Sequence, residues 1–349
     1  MNTRTITTQF FFMLLAMTMF SGLASAQKMG YAWANDPSSS SYTPSETYAY
    51  NSTGGEITIT RNRVGNYTVR FAGLTEGAAG GNVQATSYGS GSETCKVANW
   101  APNGASLDVN VVCFTATGRP VDTQYTVRAF FGSIAQKSAY VWGNDPTTSF
   151  YTPTESYAFN SSRGAISIKR SGVGDYLVRF PDMAVKTAGG NLQANAYGTS
   201  SETCKVVHWI EEGKDLEARV RCFSAAGNPA DARYSVRALM GAPKRLGAYA
   251  WANEPTSDNY TPSPLYAHNA ANGAISINRI GVGNYNVRFV NLGGRSAGGN
   301  VQVNAYGDGN ETCKIVSWTN SGQDLVTNVR CFRPGGAPVD TQYSVNVTK

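Results

Sequence analysis

Histidine is almost absent from this chain of 349 residues, which holds two. His208 and His268 stand at unrelated places, so a histidine-based catalytic or metal centre has little to be built from. Also missing are a GxSxG elbow, an HExxH pair and a phosphate-binding loop. No 15-residue window carries a helical period, which sets aside a helical bundle. Charged residues make up only 15% of the chain, and nowhere do basic ones gather into the stripe that a nucleic-acid binder presents. Apolar runs are confined to the N-terminal "MNTRTITTQFFFMLLAMTMFSGLASA". Its core, Phe10 to Phe20, falls short of the roughly 20 residues of a membrane span, whereas Arg4 before it and "ASA" after it fit a secretory signal. Residues 1–26 are therefore expected to be cleaved. Removing Arg4 leaves 28 basic against 23 acidic side chains, a net charge of +5. No cysteine stands directly after the cut to carry a lipid and no sorting motif follows "SVNVTK", so the expectation is a secreted (periplasmic or extracellular) protein with no membrane insertion.

What the chain does hold is repetition. "SETCKVANW" at 92 returns as "SETCKVVHW" at 201 and "NETCKIVSW" at 310, each copy 109 residues after the last. Aligned on "YAWANDP", "YVWGNDP" and "YAWANEP", the chain divides into β repeats over 27–132, 137–241 and 247–349. Units of about 100 residues are long enough to bury a core and much too long for propeller blades or solenoid turns. They are expected to fold independently, as beads, in a monomer. Gly, Tyr, Thr, Ser and Asn are abundant, and strand signals recur every 8 to 12 residues. The fold class read from this is all-β: three antiparallel units of about eight strands each, either small barrels or sandwiches.

Six cysteines fall as Cys95/Cys113, Cys204/Cys222 and Cys313/Cys331, always 18 apart. Fifteen pairings are open on paper, and the repeat favours one bridge within each unit. A hairpin centred near Asn103-Gly104 places Cys95 opposite Cys113 on the buried face, where such a bridge is worth about 3 kcal/mol. One cysteine pair per unit is too few ligands for zinc. No cofactor or metal is expected.

Alternation then sorts the remaining residues by face. Val83, Ala85 and Ser87 share one side of a strand; Gln84, Thr86 and Tyr88 share the other. Trp33, Trp142 and Trp251 lie in apolar strands and read as core. Trp100, Trp209 and Trp318 stand five residues after a bridging cysteine, hence by strict alternation on the outer face. With Tyr88, Tyr197, Tyr306, Gln84, Gln193, Gln302, Lys96, Lys205 and Lys314 they make a candidate ligand face, suited to stacking on sugar rings and bonding their hydroxyls. The repeated carboxylates Asp36, Asp145 and Glu254, Glu93, Glu202 and Glu311, and Asp122, Asp231 and Asp340 read as turn caps and ion-pair partners before acid–base groups. Arg70, Arg179 and Arg288 read as a solvated face, and the "AGGN" glycines (Gly80, Gly189, Gly298) as positive-φ positions.

Through "YxWxNxP", "YTP", "VGxYxVRF", "ETCK", "RCF" and a "PVDxxYxV" tail, the sequence resembles an uncharacterised repeat found in tandem in secreted bacterial proteins. The resemblance implies export and a modular β fold, and brings no activity. The functional expectation is a non-catalytic module binding an extracellular carbohydrate or cell-surface polymer through three linked sites, each adding avidity. A structural or adhesive spacer is the alternative, and a carboxylate-based polysaccharide hydrolase the third reading.

Overall fold

The computed structural model describes residues 28–185, 189–242, 247–294 and 298–349; the expected signal segment, 1–26, lies outside them. The first unit is built from β1 (Met29–Ala34), β2 (Ser41–Tyr42), β3 (Ala49–Asn51), β4 (Ile57–Arg63), β5 (Asn66–Phe71), β6 (Asn82–Ser87), β7 (Thr94–Asn103), β8 (Ser106–Phe114) and β9 (Tyr125–Phe130). The same nine recur as β10 to β18, within 138–239, and as β19 to β27, within 247–348. The ninth strand is β2, inside the long Ser/Thr-rich loop, where Tyr42 pairs with Ile59 of β4.

Each unit is a sandwich. In the first, one sheet has the order β3-β1-β9-β6 and the other β2-β4-β5-β8-β7, every pairing within the unit antiparallel. Alternation accounts for the core: Ile57, Ile59, Val69, Phe71, Val109 and Val111 face Ala32, Val83, Ala85, Tyr125 and Val127 across it. Burying each of the larger side chains contributes about 1.5–3 kcal/mol. Cys95 stands directly opposite Cys113 on β7 and β8, with equivalent bridges at Cys204–Cys222 and Cys313–Cys331. The disulfide thus clamps the long hairpin on its core side.

The expectation of separate beads is corrected. In β6 every residue is buried, on both faces. A sheet with one face in water would show an alternating pattern, so the polar face of β6 must have a partner. That partner is the rest of the chain. The five-stranded sheet of the first unit runs on, through a parallel pairing of Val97 with Tyr197, into the four-stranded sheet of the second. Val206 pairs with Tyr306 likewise, and Ile315 with Tyr88. The third unit therefore returns to the first, and the chain closes into a ring about a pseudo-threefold axis.

Candidate functional site: three seams and a polar axis

The tryptophans show how the seams form. Between Val97 and Asn99 the β7–β8 register shifts by one residue, and the same shift occurs at Val206/His208 and Ile315/Ser317. A bulge inserts one extra residue, and each later side chain changes face. Trp100 therefore pairs with Val109, on the cysteine side, instead of pointing outward. Trp100, Trp209 and Trp318 are 4%, 6% and 5% exposed, so none is an open stacking platform.

Each of these indoles reaches past its own core into the next unit. Trp100 meets Trp142, Tyr157 and Tyr197 at centroid distances of 6.4, 5.6 and 5.4 Å, all edge-on. Trp209 meets Tyr266 and Tyr306, which flank Trp251. Trp318 closes the ring against Trp33, Tyr48 and Tyr88. Edge-to-face pairs of this kind add about 0.5–1.5 kcal/mol each beyond the area they bury. Trp33, Trp142 and Trp251, read as core, are half-buried and serve these clusters.

The glycine loops close against the same clusters. Trp100 Nε1 donates to the carbonyl of Gly80 at 3.0 Å, and Trp209 Nε1 to that of Gly189. Gly298 has φ +75°, and a Cβ on it would lie 1.5 Å from the Thr47 carbonyl oxygen of the first unit. Positive φ and close inter-unit approach together require glycine there.

Every other member of the predicted ligand face is also spent on a neighbour. Lys96 pairs with Glu202 at 3.2 Å, Lys205 with Glu311 at 3.0 Å and Lys314 with Glu93 at 2.8 Å, one pair per seam. Burial pulls the three lysine pKa values down, against the pull of their glutamates. Burial works to raise the glutamates, but the facing ammoniums, preceded at Glu202 by the Ser200 hydroxyl, hold all three below the ordinary carboxylate value. Gln84, Gln193 and Gln302 lie on the axis at 0%, 3% and 1% exposure. Gln193 Nε2 donates to the Gln302 carbonyl at 3.0 Å, and Gln302 Nε2 to Thr126 Oγ1 at 2.7 Å. Around them Thr126, Ser235 and Ser344 each donate to a backbone carbonyl of another unit, at Val301, Val83 and Leu192. Most of this polar centre is tolerable because its groups find partners, although Asn82, Asn191 Nδ2 and Arg128 Nε find none among the described residues.

Arg128 is the exception in charge. It is fully buried, and its Nη1 donates to Asn346 Oδ1 at 2.6 Å and Thr348 Oγ1 at 2.7 Å. None of the ion pairs among the described residues includes it. Burial, with the charge of Arg237 added, drives its pKa well down. Arg237, the matching residue of the second unit, lies over the Phe130 ring at 4.1 Å, and burial brings it to about 10. The third unit places Asn346 at this position, which spares the axis a third guanidinium.

No protein-family model matches this chain, and no curated protein is detectably similar to it.

The repeated carboxylates all have structural work. Asp122 accepts from Arg61, Tyr67 Oη and the Gly65 N–H, and Asp231 and Asp340 repeat the arrangement. Asp36, Asp145 and Glu254 accept from Ser39, Thr148 and Ser257 within their own turns. Arg70, Arg179 and Arg288 form outward ion pairs with Asp108, Asp215 and Asp324. His208 and His268 lie in different units, His268 beside Tyr249 at 5.9 Å.

One concave site remains on the axis. A cavity of about 60 Å³ is lined by Thr86, Lys96, Lys205, Glu202 and Glu311, together with Thr94, Thr203 and Thr312. Those last three threonines also line a smaller hollow of about 30 Å³, rimmed by Ser92, Ser201, Asn310 and Arg333. All three units contribute to both.

Proposed function

We propose that this chain is a secreted, non-catalytic structural module, in which three repeats exist to close one rigid ring. The observation that carries this reading is the cyclic set of ion pairs Lys96–Glu202, Lys205–Glu311 and Lys314–Glu93, which ties each unit to the next and the last to the first. The engagement of the repeated carboxylates in turns and ion pairs supports the non-catalytic part. The three disulfides, and the lack of any helix long and apolar enough to cross a membrane among the described residues, are consistent with a protein outside the cytosol. Resemblance to tandem repeats of secreted bacterial proteins agrees with that. Binding of an extracellular carbohydrate or cell-surface polymer is the second reading. What favours it is the hydroxyl-rich hollow on the axis, which would offer one shared site in place of three linked ones.

A glycan array probed with the whole chain, and a reducing-sugar assay on common polysaccharides, test the choice. The structural reading expects no retained glycan and no released sugar. Retention of a defined glycan would replace it with the binding reading, and sugar release with the hydrolase.

A further inference from the structure

The axial cavity is lined by charged donors that are only partly used. An ammonium carries three N–H groups, and Lys96, Lys205 and Lys314 each make one hydrogen bond among the described residues, to a glutamate Oε2. The hydroxyls of Thr94, Thr203 and Thr312 line both the cavity and the outer hollow, and no side-chain hydrogen bond occupies them among the described residues. Depth separates the two signs of charge. The lysine side chains are 6%, 4% and 3% exposed, whereas their glutamates are 24%, 23% and 30% exposed. The ammoniums thus face inward and the carboxylates lie toward water. Further cations stand around them: Arg221 acts on Lys205, Arg330 on Lys314 and Arg333 on Glu311. A volume of about 60 Å³ corresponds to roughly two waters at ~30 Å³ each.

We infer that the axial cavity binds a single small oxyanion of the sulfate or phosphate class, held by the ammoniums of Lys96 and Lys205 and the hydroxyls of Thr94, Thr203 and Thr312. A threefold arrangement of donors suits a tetrahedral anion, whose oxygens can each meet a different unit. A cation in the same place would face the two buried ammoniums of Lys96 and Lys205. The site exists only in the closed ring, since no single unit supplies more than one lysine and one of these threonines. It does not rest on the structural reading, and it shares Thr94, Thr203 and Thr312 with the hollow offered for a glycan.

Crystals of the whole chain soaked in selenate, which scatters anomalously, test the position. The expected result is one peak on the axis within hydrogen-bond distance of the lysine Nζ atoms. Titration calorimetry with inorganic phosphate and with glucose 6-phosphate tests the ligand. Heat from both means that the group is accepted on a larger molecule; heat from phosphate alone means a free ion. Either supports the site. Lys205→Gln should weaken phosphate binding about tenfold or more, the loss of one hydrogen bond to a charged group. Because that change leaves Glu311 unpaired and could loosen the ring, Thr203→Val serves as the second variant; it should weaken binding several-fold at unchanged melting temperature. No axial selenate peak, no heat with phosphate, a rubidium or manganese peak in its place, or phosphate binding untouched by Thr203→Val would each overturn the assignment.

Discussion

At the scale of single residues, the same side chains that suggest a sugar platform hold one unit to the next. Aromatic, amide and ammonium groups suit either task, because the chemistry of recognition does not depend on whether the partner belongs to another molecule. The two uses separate by experiment. Truncating a buried tryptophan removes packing and leaves a cavity, so Trp209→Ala should cost about 3–5 kcal/mol in denaturant unfolding. An exposed platform would lose almost nothing. Acid gives a second test. Asp122 is held at about 2, chiefly by its hydrogen bond with Arg61, and Glu93, Glu202 and Glu311 also sit below their ordinary values. For carboxylates whose folded pKa is lowered, the stabilisation is present above the unfolded pKa and is lost as pH falls through the folded one. Melting temperature should therefore hold steady down to about pH 4.5 and fall progressively toward pH 2. A flat profile across that window would show that these pairs add nothing to the ring.

At the scale of strands, most of the architecture was legible. The positions of eight strands per unit, the hairpin near Gly104 and the opposed cysteines all follow from alternation and turn residues. The bulge does not. One extra residue at Ala98, Val207 or Val316 carries no distinctive composition, yet it reverses the face of everything after it, and strict alternation therefore put Trp100 on the wrong side. Deleting Ala98 restores the unbroken register and should turn Trp100 out of the aromatic cluster. The expected outcome is loss of near-ultraviolet circular dichroism and several kcal/mol of stability, with the far-ultraviolet strand signal retained. An unchanged near-ultraviolet spectrum would mean that the bulge does not set the indole's direction. The partner of the polar face was hidden for another reason. It lies about a hundred residues away, beyond any local pattern. A signal did exist in the repetition of glutamine itself at Gln84, Gln193 and Gln302, since a solvated face tolerates change at such positions.

At the scale of the whole molecule, three similar units are not interchangeable, because the axis accepts only what their sum allows. Two guanidinium groups already lie there without a carboxylate, and burying an uncompensated charge costs several kcal/mol. Asn346→Arg would add a third and should lower stability by at least about 3 kcal/mol, read as an earlier denaturant midpoint; an unmoved midpoint would mean that the axis admits water or a counter-ion. An isolated second unit is likewise no longer expected to be self-sufficient, since it would expose Gln193, Lys205 and Trp209. Closure also brings the first and last described strands together. Arg128, two residues before the end of β9, donates to Thr348 at the last strand, while Met29 at the first strand pairs with Phe130. Two seams are crossed by covalent linkers, residues 131–137 and 240–246, and the third by none. The third seam repeats the ion pair and aromatic cluster of the others and differs in that the Gly298 carbonyl accepts from Lys349 Nζ in place of the indole, so the starting point of the polypeptide is close to arbitrary. A permuted gene that opens the chain within 131–137 and joins the old ends by a linker of similar length should give the same three disulfides and the same melting temperature within a few degrees. If it does, the order of the repeats is a matter of inheritance and only their cyclic sequence is read by the fold.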